Sequence, residues 1–291
     1  MILRDKNGSV LVTLNEHFLD GSYRAAPHTH HDLEISCVLE GSGQYRIGDR
    51  SYDLQAGDVI ILNNTESHAL VLSGESVLRH VVIHFDPSFI WNSLSNDLDY
   101  NFLLVFFERG PNFSNRLDRD NPATARIFSL ILDIIEEFNA RRLCYELIVK
   151  IKLQTIFTEI LRNYDYIDRG KVVKPLSGSD ILHLNAVIRY IHSHLDSDLR
   201  LQELADIVHV SPAYFSTMFK RFNGVSPVEY IVHKRVQRAI ELIRTTSMNL
   251  TEIAMSCGFN NGTNFYKAFH KVTGRTPASY RRNNETDTIV K

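Results

Sequence analysis

One pattern of about thirty residues occurs twice in the last third of this 291-residue chain, and any fold must accommodate both copies. The first reads LQELADIVHVSPAYFSTMFKRFNGVSPVEY, Leu201 to Tyr230; the second reads LTEIAMSCGFNNGTNFYKAFHKVTGRTPASY, Leu250 to Tyr280. Leu201, Glu203, Leu204 and Ala205 match Leu250, Glu252, Ile253 and Ala254 at an offset of 49. Phe215, Phe219, Gly224, Pro227 and Tyr230 match Phe265, Phe269, Gly274, Pro277 and Tyr280 at an offset of 50. The second copy therefore carries one extra residue between the two matched blocks, where a turn between helices absorbs it. A pattern repeated at fixed spacing marks a repeated supersecondary unit.

Each copy reads as two helices around a tight turn. LQELADIV places Leu201, Leu204, Ala205 and Val208 on one face. Ser211 can cap the next helix, with Pro212 at its first position. That helix buries Phe215, Met218, Phe219 and Phe222, leaving Ala213, Ser216, Thr217, Lys220 and Arg221 outward. In the second copy Gly258-Phe259 makes the turn and Asn260 or Asn261 the cap; Thr263, Asn264, Lys267 and Lys271 face out. Small, polar and basic residues on the outer face of a second helix describe a helix-turn-helix whose recognition helix enters a major groove. The helix between the copies, Pro227 to Thr246, spans ~30 Å. Successive major-groove faces lie ~34 Å apart, so two recognition helices can be held in adjacent segments. Charge agrees: residues 180–283 hold 13 Lys and Arg against 8 Asp and Glu, whereas residues 1–179 hold 18 against 24. A basic segment beside an acidic one fits a nucleic-acid binder with a separate regulatory domain. A helical repeat array that binds protein is the competing reading, but two copies are few for a solenoid and such faces need no Lys or Arg.

The front of the chain has a different texture. VLVTL, LEISCVLEG, QYRIG, SYDL and DVIILN are short, β-branched or alternating runs, with Gly48-Asp49 as a hairpin turn, and imply a sandwich or barrel. His28, His30 and Glu34 share a period-2 face, and His68 follows a later strand. Three imidazoles and a carboxylate suit a divalent metal, or equally an organic ligand or a structural hydrogen-bond set at a barrel mouth. His31 falls off-phase, and His80 and His84 read as wall residues; Tyr45 and Tyr52 can stack on a ligand ring or fill the interior. Asn121-Pro122 opens a helix, and a second runs from about Cys144 to Tyr164. Their apolar positions exceed one stripe, which favours a homodimer face. The expected organisation is a barrel over 1–120, a helical dimerisation region over 121–166, a linker over 167–179, a double helix-turn-helix domain over 180–283 and a flexible tail over 284–291. The fold class is α+β, with a β-barrel plus helical hairpin followed by an all-α domain. Three cysteines far apart, Cys37, Cys144 and Cys257, fit a reducing cytoplasm. No secretory signal opens the chain, and no apolar run approaches the ~18 residues of a membrane span, so a cytoplasmic location is expected.

LxELA, SPxYFSxMFKxxxGxSPxEY, the RVxxAxxLI helix, IAxxxGF and NFYKAFHKxxGxTPxxYRR together resemble the AraC/XylS family of transcription regulators, over roughly residues 183–282. The HxHxxxE run at His28, with Gly41 and a later His, resembles the cupin motifs, and a cupin-like jelly-roll barrel is the usual partner domain in that family. The resemblance implies a promoter-binding protein, usually an activator working with RNA polymerase, that dimerises through its central helices. Its barrel would bind a small effector, often a sugar or oligosaccharide, and His28, His30, Glu34, Tyr45 and His68 are the residues expected there. Base-reading positions of the family fall on Ala213, Ser216 and Thr217, and on Gly262, Thr263, Asn264 and Lys267. Lys220, Arg221, Lys267 and the helix N-termini at Ser211 and Asn261 would grip phosphates. A competing class is a metal-dependent cupin enzyme fused to a DNA-binding module, with His28, His30, Glu34 and His68 as ligands; a metal sensor is a third.

Overall fold

The computed structural model describes residues 1–4, 10–30, 32–90, 99–167 and 178–281. The expected linker falls almost wholly outside the described residues, as do His31 and the tail. The chain divides into two compact units, residues 1–25 with 32–182 and residues 26–31 with 183–291.

The first unit is a curled antiparallel sheet. Its strands are β1 (Ile2–Arg4), β2 (Val10–Asp20), β3 (Tyr23–Arg24), β4 (Leu33–Ile47), β5 (Arg50–Gln55), β6 (Val59–Leu62), β7 (His68–Leu72) and β8 (Val77–Phe85), in the order β1-β2-β8-β4-β7-β3, with β5 and β6 also paired to β4. LEISCVLEG and QYRI, two strands in the sequence reading, are one strand. The first half of β4 pairs with β6 and β8, and the second half with β5 and β7. The register shifts between Val38 and Glu40, and Gly41 (φ +83) turns the strand where an added Cβ would lie 1.8 Å from the Val77 carbonyl oxygen. The glycines here bend a strand rather than end it. The shift also changes which parity faces inward. Val38 before it and Tyr45 and Ile47 after it share one buried cluster with Leu54, Ile60, Leu62, Leu70, Leu72 and Leu78. Gly48-Asp49 closes the β4–β5 hairpin, with Ile47 opposite Arg50 and Gly48 at φ +54.

On the other face Val12, Leu14, Leu33, Ile35, Cys37, Ile83 and Phe85 are buried. Two short helices follow the sheet, α1 (Pro87–Ile90) and α2 (Leu104–Phe107), and then the hairpin α3 (Pro122–Ala140) and α4 (Tyr145–Asn163). Phe85, Phe106 of α2 and Phe157 of α4 meet pairwise at 5.4–5.8 Å between ring centroids, which fixes α4 against the sheet. Asn121 caps α3 by accepting from the Ala123 N–H, with Pro122 at the first turn. Leu143 is 95% exposed, and Leu147 and Ile151 of α4 and Leu132 of α3 are also exposed.

The second unit is helical: α5 (Gly178–Ser193), α6 (Leu201–Ile207), α7 (Pro212–Asn223), α8 (Pro227–Thr245), α9 (Leu250–Ser256) and α10 (Gly262–Thr273). The sequence repeat is a repeat in space. Phe215 meets Phe219 at 5.6 Å and Phe265 meets Phe269 at 5.7 Å, both edge-on. Phe219 packs on Tyr230 at 5.4 Å, and Phe269 on Tyr280 at 5.7 Å. Gly224 and Gly274 end α7 and α10 in the left-handed conformation that favours glycine. No helix among the described residues is long and apolar enough to cross a membrane.

Candidate functional site

On the inner face of the sheet three strands line up polar residues in register. Thr13 of β2 stands opposite His84 of β8, and His84 opposite Glu34 of β4. The Glu34 carboxylate is almost wholly buried among polar partners. Tyr45 donates its hydroxyl to Oε1 at 3.0 Å; His84 Nε2 lies 3.2 Å and His68 Nε2 3.6 Å from Oε2. The far nitrogens are also engaged: His68 Nδ1 donates to the Glu66 carbonyl at 3.0 Å, and His84 Nδ1 lies 3.4 Å from Thr13 Oγ1. Burial and the neighbouring Glu34 charge raise the Tyr45 hydroxyl well above its ordinary pKa, so it stays a donor.

Four residues along the same face, His17 of β2 sits opposite His80 of β8, and the rings stack at 5.0 Å. Burial, then the adjacent His17, lowers the His80 pKa to about 4, while burial and His84 lower that of His17. Both rings are thus held neutral near pH 7. Between the rows Ser36 is 1% exposed, and neither its Oγ nor His80 Nδ1 has a hydrogen-bond partner. Buried polar atoms are nearly always paired, so these two mark places where a bound molecule would complete the network.

Of the expected residues that belong to the sheet-bearing unit, Glu34, Tyr45 and His68 converge. His28 and His30 do not lie on β4, which begins at Leu33, so the period-2 argument holds only for Glu34. They fall on residues 26–31, grouped with the second unit, where their rings lie 6.2 Å apart and His28 Nδ1 contacts the Ala26 carbonyl at 3.2 Å. His84, read from sequence as a wall residue, is a direct partner of Glu34; the alternation in LRHVVIHF was its signal, but only strand pairing shows which strand lies beside Glu34.

In the second unit Ser211 caps α7 by accepting from the Tyr214 N–H, and Asn261 caps α10 by accepting from Asn264 at 2.8 Å. The caps are 50 residues apart, whereas the turn residues His209 and Gly258 are 49 apart and both left-handed (φ +55 and +80). The extra residue is therefore Asn260, in the turn, as the offset required. Ala213, Thr217 and Lys220 are exposed, and Ser216 and Arg221 are half-buried on α7; Asn261, Gly262, Thr263, Asn264 and Lys267 are all exposed at α10. Tyr214 and Tyr266, to which the sequence reading assigns no role, are 50% and 42% exposed.

A curled sheet with a polar inner pocket, joined in one chain to two helix-turn-helix units, defines a ligand-binding transcription regulator. Residues 17–149 match the model of the AraC-like ligand binding domain, and residues 204–283 match that of a helix-turn-helix domain. The chain belongs to the AraC family of DNA-binding transcription regulators. It is 24% identical over 264 residues to the Msm operon regulatory protein of Streptococcus mutans, covering 90% of this chain and 88% of that one. It is 26% identical over 259 residues to YfiF of Bacillus subtilis, an uncharacterized HTH-type transcriptional regulator, covering 89% and 79%. Among solved structures, ToxT of Vibrio cholerae with a bound unsaturated fatty acid shares the fold, with a TM-score of 0.59 at 18% identity over 96% of this chain and 97% of that one. These relatives are regulators, and the enzyme reading draws no support from them.

Proposed function

We propose that this regulator answers a small hydroxylated effector, a sugar or oligosaccharide, held on the inner face of the sheet by Glu34, Tyr45, His68 and His84. The observation that carries the reading is the buried Glu34 carboxylate ringed by three hydrogen-bonding side chains, beside the unpartnered Ser36 Oγ and His80 Nδ1. Hydroxyl groups both donate and accept, so they suit acceptors and donors placed side by side. A fatty-acid head group, the ligand class of the solved ToxT complex, is an anion and would face the Glu34 charge in a low-dielectric pocket. The test is thermal unfolding of the full chain with sugars, oligosaccharides, fatty acids and divalent metals. Stabilisation by a saccharide that Glu34→Gln abolishes is expected; stabilisation by fatty acids alone would refute the saccharide class.

A divalent metal is the second reading. His68 Nδ1 must donate to the Glu66 carbonyl, so in the neutral ring Nε2 turns a lone pair toward Glu34. Stoichiometric metal in protein purified without a tag would support it.

On the DNA side, Ser216, Thr217, Thr263 and Asn264 reach base edges, with Ala213 and Gly262 giving close approach. Lys220, Arg221, Lys267 and the N-termini at Ser211 and Asn261 hold phosphates. The protein acts as an activator with RNA polymerase and binds as a homodimer. The exposed stripe of Leu143, Leu147 and Ile151, with Leu132 on the neighbouring helix, supports a dimer face. Leu147→Glu with Ile151→Glu should yield monomers in sedimentation; an unchanged dimer would move the interface elsewhere.

A further inference from the structure

A cavity of about 490 Å³ opens where the β4–β5 turn, the β6–β7 turn and the segment after α2 come together. Its chemistry differs from that of the inner-face pocket. Its wall carries two guanidiniums, Arg50 and Arg109, with the carboxylates of Asp49 and Glu66 and the ring of Phe113.

Arg109 is largely buried and firmly held. Nη1 pairs with Glu66 Oε1 at 2.6 Å, Nε donates to the Val105 carbonyl at 3.2 Å, and the guanidinium carbon lies 3.8 Å above the Phe113 ring. Its Nη2 is buried and has no hydrogen-bond partner. The carboxylate that would satisfy it is already committed. Glu66 Oε1 also accepts from Asn115 Nδ2 at 2.9 Å, and Oε2 accepts from the Asn63 N–H at 2.8 Å. Arg50 brings a second positive charge to the same cavity, anchored by Nη1 to the Phe113 carbonyl at 3.0 Å. Asp49 stands on the exposed hairpin turn, and no described hydrogen bond or ion pair engages it.

A buried N–H of an oriented guanidinium, a second guanidinium beside it and an aromatic face form the donor set that recognises an oxyanion on a small organic molecule. We propose that this cavity is a second ligand site, separate from the effector pocket, that takes a small metabolite through a phosphate or carboxylate head group between Arg50 and Arg109. The rest of the molecule lies against Phe113 and Ile47. Glu66 holds Arg109 by its side chain and His68 by its carbonyl, so this site adjoins the effector network through one residue.

Calorimetric titration of the full chain with sodium phosphate and, separately, sodium acetate at constant ionic strength tests this. Saturable binding of at least one anion is expected. Arg50→Gln, a change at an exposed side chain, should weaken it about tenfold, the loss of one charge-assisted contact. Asp49→Asn should tighten it by removing an opposing charge, and Glu34→Gln should leave it unchanged. Preference for phosphate or for acetate names the head group. Failure of both anions to saturate, or equal affinity in Arg50→Gln, overturns the proposal.

Discussion

Gly258→Ala should be far more damaging than its size suggests. The residue sits in the turn of the second helix-turn-helix at φ +80, where an L-residue is strained by about 1–2 kcal/mol. The space is also taken: an added Cβ would lie 2.3 Å from the Leu195 carbonyl oxygen and 2.9 Å from Arg235 Cζ and Nε. Arg235 Nε donates to that carbonyl at 2.8 Å, and Nη2 donates to the Ser197 carbonyl at 2.6 Å. The backbone cannot yield without breaking the first of these bonds, and a hydrogen bond from a charged donor is worth about 1.5–3 kcal/mol. Together the two costs come to about 2.5–5 kcal/mol, a large share of the ~5–15 kcal/mol that stabilises a typical domain. Urea unfolding followed by far-ultraviolet circular dichroism measures the change. His209→Gly, at the equivalent turn of the first unit, is the control. Relief of its left-handed strain and the added freedom of glycine in the unfolded chain nearly offset, so it should stay within about 1 kcal/mol of the parent. A Gly258→Ala protein as stable as that control would show that the turn does not depend on this close approach.

The pH dependence of stability follows from His80. Its folded pKa, about 4, lies below the ordinary 6.5, so the unfolded chain binds more protons between those values and stability falls as pH drops through that window. The contribution lost is of order 3 kcal/mol, and His80→Leu should flatten the profile of urea midpoint against pH between 4 and 6.5. Cys144 is exposed, whereas burial raises Cys37 to about 12 and Cys257 to about 11, so a maleimide should label the native protein once, at Cys144. Mass spectrometry showing labelled Cys37 or Cys257 would contradict that burial. Lys267→Ala should weaken binding to every DNA sequence and lower the salt slope by about one unit, while an unchanged slope would remove it from the phosphate contacts. Asn264→Ala should relax preference at one base pair, at a cost of about 1–3 kcal/mol, read by competition between operator variants.

The repeated half of the fold was legible because helix signals are local. Caps, Pro at the first turn and Phe at three- and four-residue spacing place α7 and α10 without knowledge of any distant contact. The single uncertainty, whether Asn260 or Asn261 is the cap, needed the hydrogen bond from the Asn264 N–H to decide. The sheet was legible as strands but not as a pocket. Gly41 and Gly43 look like a break between strands in the sequence, yet β4 runs through them with a register shift, and that shift sets which residues share a face. Tyr45 faces inward with Glu34 despite opposite parity for this reason. His84 joined the site through pairing with a strand some fifty residues away, a relation no periodicity encodes. His28 and His30 show another limit: the period-2 argument assumed a strand that begins only at Leu33.

The placement of Asn260 bears on what the two units would read. Aligned by their caps, Ala213 corresponds to Thr263, Tyr214 to Asn264, Ser216 to Tyr266, Thr217 to Lys267 and Lys220 to His270. No pair is chemically alike. The core positions show the opposite, with Phe215 and Phe219 against Phe265 and Phe269 in nearly the same geometry. Packing constrains the inward residues of both copies to one solution, while nothing in the fold constrains the outward ones. Copies that keep one scaffold and differ at most outward positions, the basic pair Arg221 and Lys271 excepted, would present different donors and acceptors to the groove, so one chain would bind a site without internal symmetry. A two-fold element in the operator would then have to come from pairing of two chains. The exposed stripe at Leu143, Leu147 and Ile151 lies in the sheet-bearing unit, which carries neither recognition helix.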